Sequence, residues 1–449
     1  MDHSPAFRLR RFLNWFPLGL TYAAMYMGRY NFNIVKNDIG AWYHLDKWEM
    51  GVIASAGFWT YGLAVALNGP IADRIGGRKA ILVGSIGAAL LNLLIGFMFL
   101  NGHVTQILLS MSLLWSVNMY FQSFGALSVV KVNSTWFHVK ERGVFGGIFG
   151  IMISSGYFLA TTIGAWLLAS SRSWTVIWFV PSAAMTLMFC VDWFMVRNRP
   201  SHAGHADFDT GDGSNAASAE DAPLPLGDLV KKVFHNPIIV SLIFAEFCTG
   251  FVRQGVMLYF TEYLQEIYHL SKKEHLFWFT GIAFMAGGIL GGLLCGWMSD
   301  KLFQSRRPPV AFLFYLVQVV MLGLLGMTLV QGTVGGQIWA VILLGLTAMF
   351  IFGVHGMLSG TASMDFGGRK AAASVAGALD GIQYIGSGLT GFGLGWILKT
   401  YGWDGIAVHG HQPAHAWIWV GCIIPFSLMG AFIMTRIWTA KAGAGTGAH

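Results

Sequence analysis

Charged residues are scarce in this chain. Asp, Glu, Lys and Arg make up 11% of the 449 residues, whereas 55% of the residues are hydrophobic and 14% are aromatic. About a quarter of the residues in a soluble protein are charged, so this composition excludes a soluble globular domain and indicates an integral membrane protein. The net charge of +7 does not indicate a nucleic-acid-binding protein. The Lys and Arg residues stand in short clusters between apolar segments rather than along one soluble surface.

Cysteines and catalytic motifs are also few. The four cysteines lie inside apolar segments without any short pair spacing, which argues against a zinc site, a redox motif or disulfides; they are Cys190, Cys248, Cys295 and Cys422. The sequence has no Walker loop and no soluble domain that could hold a catalytic triad or paired carboxylates. We therefore expect no enzyme, no catalytic residue and no cofactor. Several histidines lack an acid or a cysteine at ligand spacing, so we expect no metal site; they are His355, His409, His411 and His415.

Long apolar runs dominate the remainder of the chain. With about 20 residues for each crossing of the bilayer, the sequence predicts twelve transmembrane helices, starting near Trp15, Trp48, Ala80, Val104, Gly143, Trp174, Pro237, His275, Val310, Ile338, Ala371 and Ala414. Most Lys and Arg residues fall in the two tails and in the loops on the same side, which predicts cytoplasmic termini. Arg8, Arg10 and Arg11 precede a full span without a small-residue cleavage site, so we expect no cleavable signal peptide.

Several landmarks recur at a nearly constant offset along the chain. Arg29 is echoed by Arg253, and the pair Asp73-Arg74 is echoed by Asp300-Lys301. Such recurrence predicts two similar six-helix halves related by a pseudo-two-fold axis. We place these halves at residues 1–196 and 236–438. A solvated linker at 197–235 would join them, and a disordered tail would cover 439–449.

Arg29 and Arg253 each stand alone within an apolar segment. An unpaired guanidinium in hydrocarbon costs from a few to more than about 10 kcal/mol, so each must face water, a partner or a ligand. An arginine that reaches the interface from a helix end is the alternative, but apolar residues flank both positions. Equivalent positions of the two halves confront each other, and two facing cations predict an anion between them. The planar fork of a guanidinium suits phosphate oxygens in particular.

A charged turn lies between the second and third spans, Gly69-Pro-Ile-Ala-Asp73-Arg74-Ile-Gly-Gly-Arg78-Lys79. An aspartate at a helix end beside basic residues suits a latch between conformations, so we predict gating roles for Asp73, Arg74, Arg78 and Asp300. This segment resembles the loop signature of the major facilitator superfamily. The resemblance implies an all-α membrane protein with twelve transmembrane helices in two pseudo-symmetric halves. We expect a monomer in the lipid bilayer that binds a small anionic substrate and no nucleic acid.

Other segments carry a narrower resemblance, to the organophosphate:phosphate antiporters; they are Tyr22 to Phe32, Tyr61-Gly62, Trp136 to Gly143, Arg253-Gln-Gly and Leu293 to Phe303. The resemblance implies that Arg29 and Arg253 clamp a phosphate oxyanion. It also implies that tyrosines line the same cavity, namely Tyr22, Tyr26, Tyr61 and Tyr384. A transporter in a bacterial inner membrane that exchanges an organophosphate for inorganic phosphate is the function it suggests.

The chain departs from that family pattern at three places. Val65 stands where the pattern has a cavity lysine in the second span, and Ile153 stands where it has a histidine in the fifth. Ala126-Leu127-Ser128 replaces a Trp-Pro-Pro stretch in the fourth span. Two polar contacts to substrate are therefore missing, and the organic part of the substrate does not follow from the resemblance.

Two acids, Glu246 and Asp380, stand where the family pattern has neutral residues. Glu246 precedes Arg253 by two helical turns and shares its helix face. Either acid could carry a proton during transport, or could serve only to neutralise Arg253 or Lys131. We expect Asp38, Asp46 and Glu49, near the outer ends of the first two spans, to be simply solvated. Two alternatives to antiport remain open. One is a proton-coupled symporter of another organic anion, such as a phosphonate, sulfonate or carboxylate. The other is a transporter-like membrane sensor of a phosphorylated metabolite.

Overall fold

A computed structural model describes residues 3–102, 104–138, 141–171, 173–208, 235–304, 306–362, 377–408 and 411–440. The side chains at 73, 142–149 and 360–362 lie outside that description. Within the described ranges every regular element is helical and no strand occurs.

Six membrane segments form the first half. They are α1 Pro5–Tyr43, α2 Lys47–Ile75, α3 Gly77–Leu100, α4 Ile107–Gln122 with Phe124–Trp136, α5 Arg142–Phe158 continued by a π turn at Leu159–Ile163 and by Gly164–Ser170, and α6 Val176–Met195.

The second half repeats this arrangement. Its segments are α7 Pro237–Met257 continued by Phe260–Glu262 and a π turn at Tyr263–Ile267, α8 His275–Lys301, α9 Arg307–Gly326, α10 Val334–His355 with a π turn at Gly356–Ala362, α11 377–389 with a π turn at Thr390–Leu394 and Gly395–Tyr401, and α12 Trp417–Arg436.

The predicted all-α fold with twelve spans is confirmed. In the described part of the chain, nine helices are long and apolar enough to cross a membrane. The other three spans are α1, which carries Arg29 and Lys36, α4, which breaks at Ser123, and α11, which is described only from residue 377. The start predicted near Ala371 falls outside the described residues, as does most of the predicted linker.

The first helix begins earlier than the apolar pattern indicates. We predicted a start near Trp15, whereas α1 begins at Pro5. The reason is local, because the Ser4 hydroxyl accepts a hydrogen bond from the Phe7 amide at 3.2 Å and proline favours the first helical position. The polar start of α1 therefore projects beyond its apolar stretch.

Two pairs of helices join the halves. α2 packs against α11, and α5 packs against α8. Glycines allow the first contact, since a Cβ on Gly51 would lie 2.0 Å from the Gly391 carbonyl oxygen. In the second contact, the Thr162 hydroxyl donates to the Trp278 carbonyl at 2.6 Å. Both pairs hold α1 and α7, which carry the two arginines, at the boundary between the halves.

Among the described residues, four ion pairs connect the halves on one side of the molecule. We call the side where α1 begins and α12 ends the terminal face, and the other side the opposite face. The opposite-face ion pairs are Lys36–Glu262 at 2.5 Å, Lys47–Glu266 at 2.6 Å, Lys272–Asp38 at 2.6 Å and Lys399–Asp46 at 2.6 Å. Near the terminal face, the ion pairs of the described residues stay within one half, Arg11–Glu141 at 3.0 Å and Arg307–Asp300 at 2.9 Å. In the described part of the chain, ion pairs therefore hold the two halves together at the opposite face.

Our expectation that Asp38 and Asp46 are simply solvated is wrong. Each pairs with a lysine of the other half. Asp46 also begins α2, because its side chain accepts hydrogen bonds from the amides of Trp48 and Glu49, both at 2.9 Å. The sequence positions near helix ends could not reveal these partners, which are distant along the chain.

Candidate anion-binding site

Arg29 lies near the middle of α1 and is 1% exposed. Its Nη1 donates to the Tyr384 hydroxyl at 3.2 Å, and its Nη2 donates to the Gln122 carbonyl at 3.2 Å and the Gln122 Oε1 at 3.4 Å. Two tyrosine rings also face the guanidinium, with centroids 4.5 Å (Tyr26) and 4.7 Å (Tyr61) from its Cζ. Such cation–π contacts partly compensate for lost hydration.

Arg253 occupies the corresponding place on α7 and is also 1% exposed. Its Nη1 donates to the hydroxyls of Tyr30 at 3.1 Å and Tyr157 at 3.0 Å. Its Nη2 donates to the Gln383 Oε1 at 3.1 Å. The Tyr384 ring centroid is 5.3 Å from its Cζ.

Each arginine reaches across the boundary between the halves. Arg29 of the first half donates to Tyr384 of α11, and Arg253 of the second half donates to Tyr30 of α1. Tyr384 contacts both guanidinium groups. The two cations therefore share one site, built from both halves.

The partners of both arginines are neutral. They are tyrosine hydroxyls, glutamine side-chain oxygens and a backbone carbonyl, and among the described residues neither guanidinium forms an ion pair with a carboxylate. The Nε atoms of both arginines are buried and have no acceptor among the described residues. The same is true of the Tyr61 hydroxyl and the Gln122 Nε2. Buried charges are normally paired. Two buried cations with vacant donors are therefore in keeping with the predicted anion site, which stays a prediction.

The predicted substrate-binding residues come together in the structure. Tyr22, Tyr26 and Tyr61 face Arg29, with the Tyr22 centroid 5.8 Å from its Cζ, and Tyr384 links Arg29 to Arg253. Their role in binding a substrate stays a prediction.

Sequence reasoning missed four residues that contact the arginines: Gln122, Tyr157, Gln383 and, as a direct partner of Arg253, Tyr30. Only Tyr30 had a visible signal, because it directly follows Arg29. The others come from α4, α5 and α11, whose packing no local pattern reveals.

The two unexpected acids lie in different surroundings. Glu246 is fully buried, and its nearest basic group within ion-pair range is the His355 Nδ1 at 3.9 Å rather than Arg253. Asp380 on α11 is partly exposed. A simple ion pair between Glu246 and Arg253 is therefore absent from the described contacts.

The predicted gating residues lie at or just after the ends of α2 and α8, at the terminal face. Asp300 pairs with Arg307 at 2.9 Å. Arg78 donates to the Trp193 carbonyl, and Arg74 is exposed at the end of α2. The Asp73 side chain lies outside the described part of the structure, so the gating roles stay predictions.

Comparisons with known proteins agree with this fold. The profile described as Major Facilitator Superfamily matches residues 18–391. Membrane sensor protein UhpC of Salmonella typhimurium is 26% identical over 393 residues, which cover 86% of this chain and 85% of that protein. Glycerol-3-phosphate transporter of Bacillus subtilis is 26% identical over 408 residues, covering 89% and 88%. Probable hexose phosphate transport protein of Chlamydia pneumoniae is 24% identical over 417 residues, covering 89% and 87%.

Solved structures show the same architecture. A bacterial homolog of the human lysosomal transporter Spinster, in an inward-facing and unoccupied conformation, superposes with a TM-score of 0.68 over 97% of this chain and 96% of that chain. At 14% identity this likeness shows the fold alone. The resemblance to the organophosphate:phosphate antiporters is confirmed by the relatives, and the fold is that of transporters rather than enzymes. The chain is a multi-pass membrane protein that belongs to the major facilitator superfamily.

Proposed function

We propose that this transporter exchanges an organophosphate for inorganic phosphate, and that Arg29 and Arg253 bind the phosphate group of either substrate. One observation carries the proposal: both guanidinium groups are buried at the boundary between the halves with neutral partners only. Glycerol phosphate and hexose phosphate appear in the names of similar proteins, and both are phosphate monoesters.

The site has the donors that a phosphate group needs. The vacant Nε atoms of both arginines and the Tyr61 hydroxyl can donate directly. The hydroxyls of Tyr30, Tyr157 and Tyr384 accept from the arginines and contact one another around Tyr30, and their O–H groups can turn toward a phosphate oxygen. Charge-assisted hydrogen bonds of this kind are stronger than the present neutral contacts. A bound dianion would also neutralise the two cations.

The position of the site suits alternating access. Arg29 and Arg253 belong to different halves, so one anion contacts both halves at once and can stabilise the intermediate through which they rock. We infer that the terminal face is cytoplasmic, because it carries most of the Lys and Arg residues. The opposite-face ion pairs then lie on the side of the bacterial inner membrane away from the cytoplasm.

Exchange in proteoliposomes tests the proposal directly. Vesicles loaded with inorganic phosphate should take up labelled phosphate, and vesicles without internal anion should take up far less. A panel of unlabelled organophosphates inside the vesicles should replace phosphate as the driving anion. Sulfonates or carboxylates that drive uptake where phosphates fail would overturn the choice of substrate.

A membrane sensor is the second candidate, since the similar UhpC proteins carry that description. A sensor would bind a phosphorylated ligand at the arginines without exchange. Saturable binding in detergent, combined with absent counterflow in vesicles, would favour it.

A further inference from the structure

A second polar cluster adjoins Arg253 in the second half. It consists of Glu246 on α7, His355 at the end of α10 and Gln383 on α11. The Glu246 side chain is 0% exposed, and within the described residues neither of its carboxylate oxygens accepts a hydrogen bond. The His355 side chain is 17% exposed, whereas that of Glu246 is not exposed at all.

The orientation of Gln383 follows from its partners. An arginine can only donate, so the Oε1 of Gln383 must face the Arg253 Nη2, at 3.1 Å. The Nε2 of Gln383 then faces the His355 Nδ1, at 2.5 Å, and donates to it. Nδ1 consequently carries no proton in this arrangement, and His355 is neutral.

Glu246 is placed where an ionised carboxylate is costly. Among the described residues, only the Gln383 amide approaches its oxygens, and the basic group within ion-pair range is a neutral imidazole at 3.9 Å. Desolvation with so little compensation favours the neutral carboxyl group. Other charged or titratable groups that face the cluster are Asp380 of α11, Arg253 and Cys248 of α7, and Tyr315 of α9.

We propose that Glu246 and His355 together bind one proton, which is transported with the anion, and that Gln383 couples this proton to Arg253. The inference rests on the proposed function, because it takes Arg253 as a ligand of the anion. When Gln383 donates to Nδ1, the proton resides on the Glu246 carboxyl group. When a phosphate oxygen accepts the hydrogen bond from Arg253, the Oε1 of Gln383 is released. The side-chain amide of Gln383 then rotates and turns Oε1 toward the Nδ1 of His355.

The proton then moves within the pair. The O–H bond of Glu246 breaks, the N–H bond at His355 Nδ1 forms, and the imidazolium and carboxylate become an ion pair without any change in total charge. Bound anion and bound proton thus stabilise each other through a single amide, and this linkage is reciprocal. Release of the anion returns Gln383 to Arg253 and frees the pair to lose its proton.

Two assays on the same proteoliposomes test this inference. The first measures exchange of labelled phosphate with internal phosphate at equal pH on both sides. The second measures net uptake of labelled phosphate into phosphate-free vesicles under an imposed pH gradient, acidic outside. We expect the wild type to perform both. Glu246→Gln should keep exchange but lose gradient-driven uptake by about tenfold or more. His355→Gln should show the same selective loss.

Asp192→Asn provides a matched control. Asp192 is a fully buried acid in a span of the first half, and the Thr21 hydroxyl donates to its Oδ2 at 2.7 Å. An asparagine keeps that acceptor, so we expect both assays to stay near the wild-type level. This control distinguishes an effect specific to Glu246 from a general effect of removing a buried carboxylate.

The outcomes are distinguishable. A wild type without exchange overturns the proposed function, whereas a wild type with exchange but no gradient-driven uptake overturns only this inference. Equal losses in both assays for both Glu246→Gln and His355→Gln also overturn it, because the pair then serves anion binding alone. Selective loss in Asp380→Asn, with Glu246→Gln unchanged, would assign the proton to Asp380 instead.

Discussion

Lys36 of α1 and Glu262, at the continuation of α7, form an ion pair between the halves in which both side chains are almost completely buried. The Nζ–Oε1 distance is 2.5 Å, and the side chains are 2% and 3% exposed. Lys36 also donates to the Leu258 carbonyl at 2.7 Å and lies 4.0 Å from the centroid of the Tyr259 ring. The other three opposite-face ion pairs are more exposed to solvent. Closure of this face therefore depends on Lys36 and Glu262 more than on any surface pair.

Lys36→Met should open the opposite face. The variant leaves Glu262 without its cation, and breaking a buried pair costs about 3–5 kcal/mol. Spin labels on the two halves at that face should report a population with longer distances. The double variant Lys36→Met with Glu262→Leu should restore the closed population, because it removes both buried charges.

Lys399→Met is the control for this prediction. Lys399 pairs with Asp46 at the same face, but its side chain is 46% exposed. Exposed pairs contribute little, so the distances should not change. Equal opening in both single variants would contradict the special role of the buried pair.

Arg29→Lys and Arg253→Lys should each reduce phosphate exchange by at least about 100-fold while the protein still folds. A lysine keeps the charge but loses the planar fork that binds two oxygens at once. Exchange in proteoliposomes measures the loss, and a monodisperse peak in size-exclusion chromatography checks folding. Arg436→Lys, at the exposed end of α12, is the matched control. Wild-type exchange in both site variants would refute the two-arginine clamp.

Asp46 should make the stability of the folded protein depend on pH in the acid range. Burial opposes its ionisation, but hydrogen bonds from Lys399 and from the amides of Glu49 and Trp48 outweigh burial and lower the pKa of Asp46. A lowered pKa in the folded state stabilises the protein above the unfolded value of about 3.9, and this contribution is lost as the pH falls through the folded pKa. The melting temperature in detergent should therefore decline below about pH 4.

Asp46→Asn isolates that effect. Asparagine is an equally good helix cap, so the start of α2 should persist while the charge disappears. The variant should show a weaker decline in melting temperature at acid pH than the wild type. An identical decline in both proteins would assign acid sensitivity to other carboxylates.

Asp73→Asn should slow exchange with little change in phosphate affinity. The motivation is the charged turn between α2 and α3, which the sequence repeats at Asp300 after α8. Single-turnover exchange and equilibrium binding separate the two quantities. A large loss of affinity with a normal exchange rate would count against a gating role.

Sequence reasoning predicted the parts of the site that lie on α1. Arg29 stood out because it is isolated in an apolar segment, and the family resemblance added Tyr22 and Tyr26, whose helical spacing agrees with a common face. No role was predicted for Lys36, which follows Arg29 by two turns. Its partner Glu262 carried no local signal, because pairing across the halves depends on packing.

The contacts that sequence reasoning missed join helices that are far apart along the chain. His355 was correctly placed near a helix end, but nothing local indicated Glu246 as its neighbour. Gln383 and Tyr157 reach Arg253 from helices far apart in the chain. A buried network of this kind is determined by which helices pack together, whereas hydropathy predicts only that they exist.

Each half contributes two lysines and two carboxylates to the opposite-face ion pairs: Lys36, Lys47, Asp38 and Asp46 from the first, and Lys272, Lys399, Glu262 and Glu266 from the second. Separation of the halves therefore moves no net charge from this layer. A membrane potential does work only on net charge that moves across the field. These four ion pairs thus add no voltage dependence when the face opens, and voltage dependence of the transport cycle is expected to come from Arg29, Arg253 and the substrate anion that they bind.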